Sequence, residues 1–501
     1  MPFFRKHFQL ILITIVIAVA IFFRFWQIRD YVVFLGDEGR DMIVMRDIFI
    51  NKRLPFLGPS ASVGGFYLGP IYYWMAAPFL FLWGFDPVGP AYFVAIVGVA
   101  AVFLLYRFLR ETVGFWPAIL TSLLYATAPL IVRYSRSSWN PNPLPFFALL
   151  MIYLTYLGIT RKKLSLFLGV GACLGVAIQL HYLALILLFV TAIIVFTSTN
   201  YKSWPKIALL FIAGFLITFS PFLAFEIRHN FPNFRTILEF VTRGSNLGFK
   251  TFNVLWLIFD TGNIMLEEVS RVLETSNTKI VFLALVTLSV YGLKLVWSNR
   301  KKRLFFSICI IWFLGGLLAL RLYTGQIYDY YLGSIFPAPF LISGAAFFIL
   351  WKRPMLRLVT IVIVAFVTFI FINNGYYKSP PNRLIDQTEN IADVIIEKSN
   401  NNPYNFALIS DRNSDHAYRY FLELKGFKPI ELETIITNQL IIVCESKTCE
   451  PLGNPAWEIA GFGRGEITQE QDLKKYGIKV FRLTHWQGEP SPAGKPARKE
   501  S

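Results

Sequence analysis

The stretch Phe8-Gln-Leu-Ile-Leu-Ile-Thr-Ile-Val-Ile-Ala-Val-Ala-Ile-Phe-Phe-Arg-Phe-Trp-Gln-Ile28, followed after a short link by Asp37-Glu-Gly-Arg-Asp41, decides the fold of this chain. Its first part is an apolar run of the roughly 20 residues that a helix needs to cross a bilayer core, and Arg5, Lys6 and His7 precede it. Basic residues stay on the cytoplasmic side, so the chain leaves the lipid on the opposite face. Asp37 and Glu38 therefore stand at the outer edge of the membrane, where desolvation makes acidic groups costly and a pair of them needs a reason. No small-residue cleavage site follows Arg24-Phe25-Trp26, so the segment reads as a retained helix rather than a signal peptide.

Composition agrees. The 501 residues are 55% hydrophobic, 17% aromatic and 16% charged, with a mean hydropathy of +0.51. That is too apolar for a water-soluble globule and too long for a single anchor, which leaves a polytopic helical membrane protein. The net charge of +17 would point to nucleic acid in a soluble chain. Here most of the excess is assigned to loops on one side of a membrane, and nucleic acid is set aside as a partner.

Apolar segments run at about 8–28, 69–83, 90–106, 115–132, 143–160, 164–180, 183–199, 205–224, 279–297, 304–322, 331–350 and 355–373. The second is short and holds Pro70 and Pro78, which suits a re-entrant or juxtamembrane helix better than a span. With eleven spans the basic groups fall on one side: Arg5/Lys6, Arg107/Arg110, Arg161-Lys162-Lys163, Lys202/Lys206, Arg300-Lys301-Lys302-Arg303 and Lys352/Arg353. Counting the second segment as a span would put the Arg161 and Arg300 clusters outside. The expected organisation is a transmembrane domain over 1–375, a small extracytoplasmic α/β domain over 376–487 and a disordered tail over 488–501. Apolar runs at Phe406–Ser410 and Gln439–Val443 and a helical pattern at Ala417–Leu424 mark the second domain. Cys444 and Cys449 are free to pair there, outside the cytoplasm, whereas Cys173 and Cys309 read as core residues within spans. A CxxxxC pair without spaced histidines is a weak zinc signal.

The outer ends of the spans carry polar groups that the topology rule does not explain. They are Arg133 and Arg136 in Arg133-Tyr-Ser-Arg-Ser-Ser-Trp-Asn-Pro-Asn142, Gln179 and His181, Arg228 and His229, Arg321, and Tyr328-Asp-Tyr-Tyr331. Cations there can hold a phosphate by charge-assisted hydrogen bonds, and a carboxylate can take the proton of an acceptor hydroxyl. The substrate that fits such a face is a phosphate-linked group on a lipid.

The order of Asp37-Glu38 after the first span, Gly69-Pro70-Ile71-Tyr72-Tyr73-Trp74, Gly84-Phe85-Asp86, the Ser135-Arg136 loop and Tyr331-Leu-Gly-Ser-Ile-Phe-Pro337 resembles the GT-C glycosyltransferases. Within them it looks most like the group of protein O-mannosyltransferases and aminoarabinose lipid A transferases, including glycosyltransferase family 39 and RgtA/B/C/D-like proteins. The resemblance covers about residues 1–350 and is densest over 30–155. It implies a polyprenyl-phosphate-linked sugar donor, transfer on the extracytoplasmic face of the cell membrane, and an essential acid in the first outer loop, carried over to Asp37 with Glu38 beside it. It also matches residues 69–83 to that family's juxtamembrane helix. The chain departs from the family where a His-Pro-Pro-Leu stretch reads Leu68-Gly69-Pro70-Ile71, and where an acidic residue of the second outer loop is replaced by Asn140 or Asn142. An amide cannot serve as a base or as a strong ligand for a hard cation, so no cofactor is read here and a divalent metal stays open.

The expected assignment is catalytic for Asp37 and Glu38, donor phosphate-binding for Arg136, Arg321 and His181, and acceptor or loop positioning for Asn140, Asn142, Tyr72 and Asp329. Each has a plainer rival. Arginines at span ends also snorkel to headgroups, and a lone histidine at a helix end is often a structural donor. Tyr72-Tyr73-Trp74 and Tyr328, Tyr330 and Tyr331 read as interfacial belts before sugar platforms. The expected acceptor is a glycolipid, a cell-envelope glycan or a protein. A transporter of lipid-linked or soluble solutes is the alternative, though no repeat between halves supports it. A scaffold that merely presents the C-terminal domain would not depend on Asp37.

Overall fold

The computed structural model describes residues 2–61, 64–243, 291–292, 299–320, 328–411 and 413–487. The chain divides into two compact units, Met1–Val32 with Val44–Asn382, and Val33–Ile43 with Arg383–Ser501.

The first unit is helical. Among the described residues four helices are long and apolar enough to cross a membrane: Lys6–Phe25, Val88–Thr112, Tyr201–Arg228 and Pro354–Asn373. Leu209, Ile217, Val362 and Phe366 on two of them are exposed, as expected of faces solvated by lipid. Shorter apolar helices fill the interior, namely Phe115–Thr127, Leu144–Thr160, Leu166–Leu180, Tyr182–Ser198 and Ala338–Trp351. This is a largely α-helical, membrane-associated fold.

Proline punctuation makes several helices shorter than their hydropathy. The expected segment 115–132 breaks at Ala128, which adopts φ −57° and ψ 119° ahead of Pro129, and a separate short helix, Pro129–Tyr134, follows. The ring of a proline disfavours the helical conformation in the residue before it. The expected segment 331–350 likewise becomes a 3₁₀ turn, Asp329–Ser334, and a helix, Ala338–Trp351, that starts after Pro337. The expected juxtamembrane segment is the helix Ile71–Leu82, whose 12 residues rise only about 18 Å. The expected segment 279–297 lies outside the described residues except for Tyr291 and Gly292.

Glycine sets the closest packing. Gly171 and Gly175 on Leu166–Leu180 form a small-xxx-small pair facing Trp204–Arg228. A Cβ at Gly171 would lie 1.8 Å from the Phe211 carbonyl oxygen, and one at Gly214 would lie 1.8 Å from that of Leu168. The two backbones touch, as small residues permit in the absence of a hydrophobic driving force between helices in lipid. Elsewhere Trp312 is fully buried and its indole donates to the Ser334 carbonyl at 3.1 Å.

The second unit contains a four-stranded sheet. Strands β1 (Asn405–Ile409), β2 (Gln439–Cys444), β3 (Gly465–Leu473) and β4 (Ile478–His485) lie in the order β1-β2-β4-β3. β1 and β2 are parallel, with Phe406 opposite Ile441, and the other pairs are antiparallel. Alternation splits β2 between two faces. Leu440 and Ile442 join Ala407, Phe462, Phe481 and Leu483 in one core, while helix Leu384–Ser399, in which Ile391 and Ile395 are buried, packs against β2 and β4. Cys444 and Cys449 are disulfide-bonded. β3 carries a register shift between Ile467 and Gln469 and is mostly polar, which explains why hydrophobic alternation does not announce this edge strand.

Candidate active site

The acidic cluster opens a helix, Gly36–Ile50. Gly39 N–H bonds the Leu35 carbonyl at 2.8 Å, which makes Leu35 the N-cap and Glu38 the third helical residue. Glu38 Oε2 accepts from Leu35 N–H at 3.0 Å, the reciprocal half of a capping box. The acids at positions two and three also suit the positive end of the helix dipole.

The three carboxyl groups have different surroundings. Asp37 faces solvent, its side chain 58% exposed, and pairs with Arg40 Nη1 at 3.0 Å. Asp41 is buried and accepts from Arg40 Nε at 3.1 Å and Nη2 at 3.0 Å, so one guanidinium bridges both aspartates. Glu38 is buried, and its carboxyl is pushed up to about 8, chiefly by loss of solvent and further by the charges of Asp41 and Asp37. The hydrogen bond from Leu35 opposes the rise. Of the two expected catalytic acids, then, Asp37 is accessible and Glu38 holds its proton at neutral pH. Arg40 and Asp41, not expected to take part, complete the cluster.

The remaining expected residues that are described lie in the first unit, and several are joined by contacts there. Tyr72 is buried, and its hydroxyl shares a 2.7 Å hydrogen bond with Ser138 Oγ. Trp139 packs edge-on against Tyr330 at 4.5 Å. His181 contacts Tyr330 and Tyr331 with ring centroids 5.7 and 5.1 Å apart. Asn140 Nδ2 donates to the Leu180 carbonyl at 2.8 Å, fixing the 135–143 loop to the end of helix Leu166–Leu180. Asn142 Nδ2 donates to Ser137 O at 2.6 Å. Gly69 of the Leu-Gly-Pro-Ile stretch lies against Gln179, where a Cβ would be 2.3 Å from Oε1. Asp86 of the Gly-Phe-Asp motif accepts from Val88 N–H at 2.9 Å and pairs with Arg29 at 2.5 Å, starting helix Val88–Thr112 and binding it to the short helix Ile28–Tyr31 that follows the first helix.

Two expectations change. Tyr72 and Tyr73 lie on the buried face of their helix rather than on an exposed aromatic belt, while Phe81 and Leu82 of the same helix are exposed. Arg136 is buried and donates from Nη2 to Trp26 O at 3.0 Å and Gln27 O at 3.3 Å, with the Tyr376 ring 3.5 Å from its guanidinium carbon. It thus secures the exit of the first helix rather than presenting an open fork to a phosphate, and burial pushes its guanidinium down to about 9. His181 Nδ1 accepts from Leu183 N–H at 3.2 Å as a cap, so only Nε2 is left to donate. Arg321 lies outside the described residues, while Asp329 begins the 3₁₀ turn that carries Tyr330 and Tyr331.

Sequence reasoning passed over Arg24, fully buried in the first apolar helix, whose Nη1 donates to Ala126 O at 3.0 Å and to Ala20 O at 3.2 Å. Its Nε and Nη2 have no hydrogen-bond partner among the described residues. A lone arginine inside an apolar run was the available signal, since such a residue is costly unless it faces the bundle interior. Among the described residues no group of three or more His, Cys, Asp or Glu side chains gathers to hold a metal.

Residues 68–225 match the family model for dolichyl-phosphate-mannose-protein mannosyltransferase. No curated protein matches the chain by sequence. Solved structures do match in fold. ArnT from Cupriavidus metallidurans, bound to undecaprenyl phosphate, superposes with a TM-score of 0.61 at 13% identity, over 94% of this chain and 97% of that one. The archaeal oligosaccharyltransferase AglB from Archaeoglobus fulgidus, in complex with an inhibitory peptide and a dolichol-phosphate, gives 0.53 at 13% identity over 97% and 75%. The oligosaccharyltransferase of the same organism in complex with zinc and sulfate gives 0.52 at 14% over 86% and 67%. The chain shares its fold with these solved structures over most of its length.

Proposed function

We propose that this chain is a multi-pass membrane glycosyltransferase that moves a sugar from a polyprenyl-phosphate donor to an extracytoplasmic acceptor, a glycolipid, cell-envelope glycan or protein. The observation that carries the reading is the likeness in fold, over nearly its whole length, to a protein seen with undecaprenyl phosphate. The exposed and buried carboxyls that begin helix Gly36–Ile50 supply acid–base chemistry to match. The proposed topology has eleven spans, with helix Ile71–Leu82 lying against the bundle without crossing, a transmembrane domain over 1–375, and the domain over 376–487 outside the cytoplasm.

In the proposed reaction Asp37 accepts the proton of the acceptor hydroxyl or amine. The freed electron pair attacks the anomeric carbon, the bond to the phosphate oxygen breaks with its electrons on the phosphate, and configuration inverts. Asp37 takes this role by accessibility, whereas buried Glu38 shapes the loop through its bond to Leu35. Hydrogen-bond donors, charged or neutral, receive the departing phosphate. His181 through Nε2 and Arg321 keep that proposed role, and Arg136 moves to securing the first helix. No step is routed through a metal.

The test is Asp37→Asn, which keeps shape and removes basicity. Mass spectrometry of glycans and glycolipids from cells expressing each form should show the product falling by roughly the hundredfold expected of a lost general base. Binding of undecaprenyl phosphate by the purified variant should be retained. Product at the wild-type level from Asp37→Asn would remove this residue as the base.

A further inference from the structure

The second unit contains an uninterrupted polar path from its sheet to the start of the acidic helix. Glu445 directly follows β2 and the disulfide-bonded Cys444, and its backbone N–H bonds Ile409 O on β1 at 2.9 Å. Its carboxylate accepts from Tyr418 Oη at 2.6 Å, from Ser410 Oγ at 2.9 Å and from Asn413 Nδ2 at 3.1 Å to each oxygen. The amide is thereby fixed in one orientation, with Oδ1 accepting from Ser414 N–H at 2.9 Å and from Gly36 N–H at 2.9 Å.

Gly36 is the first residue of the helix that carries Asp37 and Glu38, and its N–H is one of the donors that a helix start leaves without an internal partner. An asparagine 377 positions away supplies the acceptor. The fit at this point is tight. A Cβ at Gly36 would lie 1.9 Å from Ser414 Oγ, and one at Gly39 would lie 2.3 Å from Ala417 N. Phe34, just before the helix, packs edge-on against Tyr420 and Phe421 at 6.1 and 5.6 Å.

We infer that Asn413 and Glu445 are positioning residues, through which the C-terminal domain sets the direction of the Asp37–Glu38 turn. This assigns the domain a task in the reaction, and it rests on Asp37 being the base. The path predicts which substitutions restore one another. Asn413→Ala leaves Gly36 N–H without its acceptor. Asn413→Asp keeps an acceptor for Gly36 but sets two carboxylates against each other at the Glu445 contact. Asn413→Asp combined with Glu445→Gln reverses the direction of the second hydrogen bond and rebuilds the path, with the introduced glutamine amide as donor.

The test measures hydrogen exchange of residues 34–40 and product formation by each full-length variant in membranes, with exchange of β2 amides as the control for an intact sheet. Loss of a cap should speed exchange of the first turn about fivefold to tenfold in Asn413→Ala and Asn413→Asp, with a fall in product of similar size. The double variant should recover both. Unchanged exchange of residues 34–40 in Asn413→Ala, or failure of the double variant to regain protection with β2 protected, would overturn the inference. Faster exchange with undiminished product would also overturn it as a device of catalysis. Asp37→Asn in the same membranes separates the two ideas: loss of product there, with none in Asn413→Ala, leaves the base assigned and removes the positioning path.

Discussion

Glu38→Gln makes the strongest quantitative demand on this structure. The buried Glu38 carboxyl is raised from its usual 4.5 to about 8, mainly by loss of solvent, with Asp41 and Asp37 adding to the rise. Between those two values the folded protein holds a proton that the unfolded chain releases, so stability must fall as pH climbs from about 5 to 8. At 1.36 kcal/mol per pH unit the full rise corresponds to roughly 4 to 5 kcal/mol. Glutamine keeps an oxygen to accept from Leu35 N–H and does not titrate. The variant should therefore lack that part of the slope, matching wild type within about 1 kcal/mol near pH 5 and exceeding it by several kcal/mol near pH 8. The Asp37–Arg40–Asp41 bridge and His416, whose imidazole burial pushes down, are common to both proteins and cancel in the difference. A membrane protein with two units need not unfold in one step. The measurement is accordingly the opening free energy of the β2 amides by hydrogen exchange, taken for both proteins at each pH. Parallel pH profiles would refute the reasoning, since they would mean that Glu38 is ionised or solvated in the folded state.

Gly214→Ala places a methyl group 1.8 Å from the Leu168 carbonyl oxygen, which the backbone can relieve only by moving apart. The change should cost about 1 to 3 kcal/mol in resistance to denaturing detergent, and an unchanged unfolding midpoint would show that the helices do not pack through this glycine. For the topology, cysteines introduced at Arg53, Trp83 and Lys474 should all react with an impermeant reagent applied outside intact cells. Protection of Trp83 and Lys474 together, with Arg53 still labelled, would mean that Ile71–Leu82 crosses the membrane.

The sequence by itself determined the solvent, and through it the class of fold. Apolar runs of bilayer length and one-sided basic loops follow from the cost of polar groups in lipid, a property of each segment that needs no partner. The short helix Ile71–Leu82, β1, β2 and the helix His416–Leu424 were legible for the same reason, because each carries its own length limit or its own period. Proline corrected the helix boundaries by a local rule that the sequence also contained. The roles of the polar residues were not local. Asp37 and Glu38 are adjacent carboxyls in sequence, and what separates an exposed acid from a buried, protonated one is the environment that folding places around each. Arg136 read as a free cation until the carbonyls of Trp26 and Gln27, more than a hundred residues away, claimed its guanidinium. Asn413 carried no signal at all, since its hydrogen bonds join Gly36 to Glu445, residues remote from one another in sequence. Desolvation and hydrogen-bond partnership depend on distances between remote segments, and tertiary structure alone decides those distances.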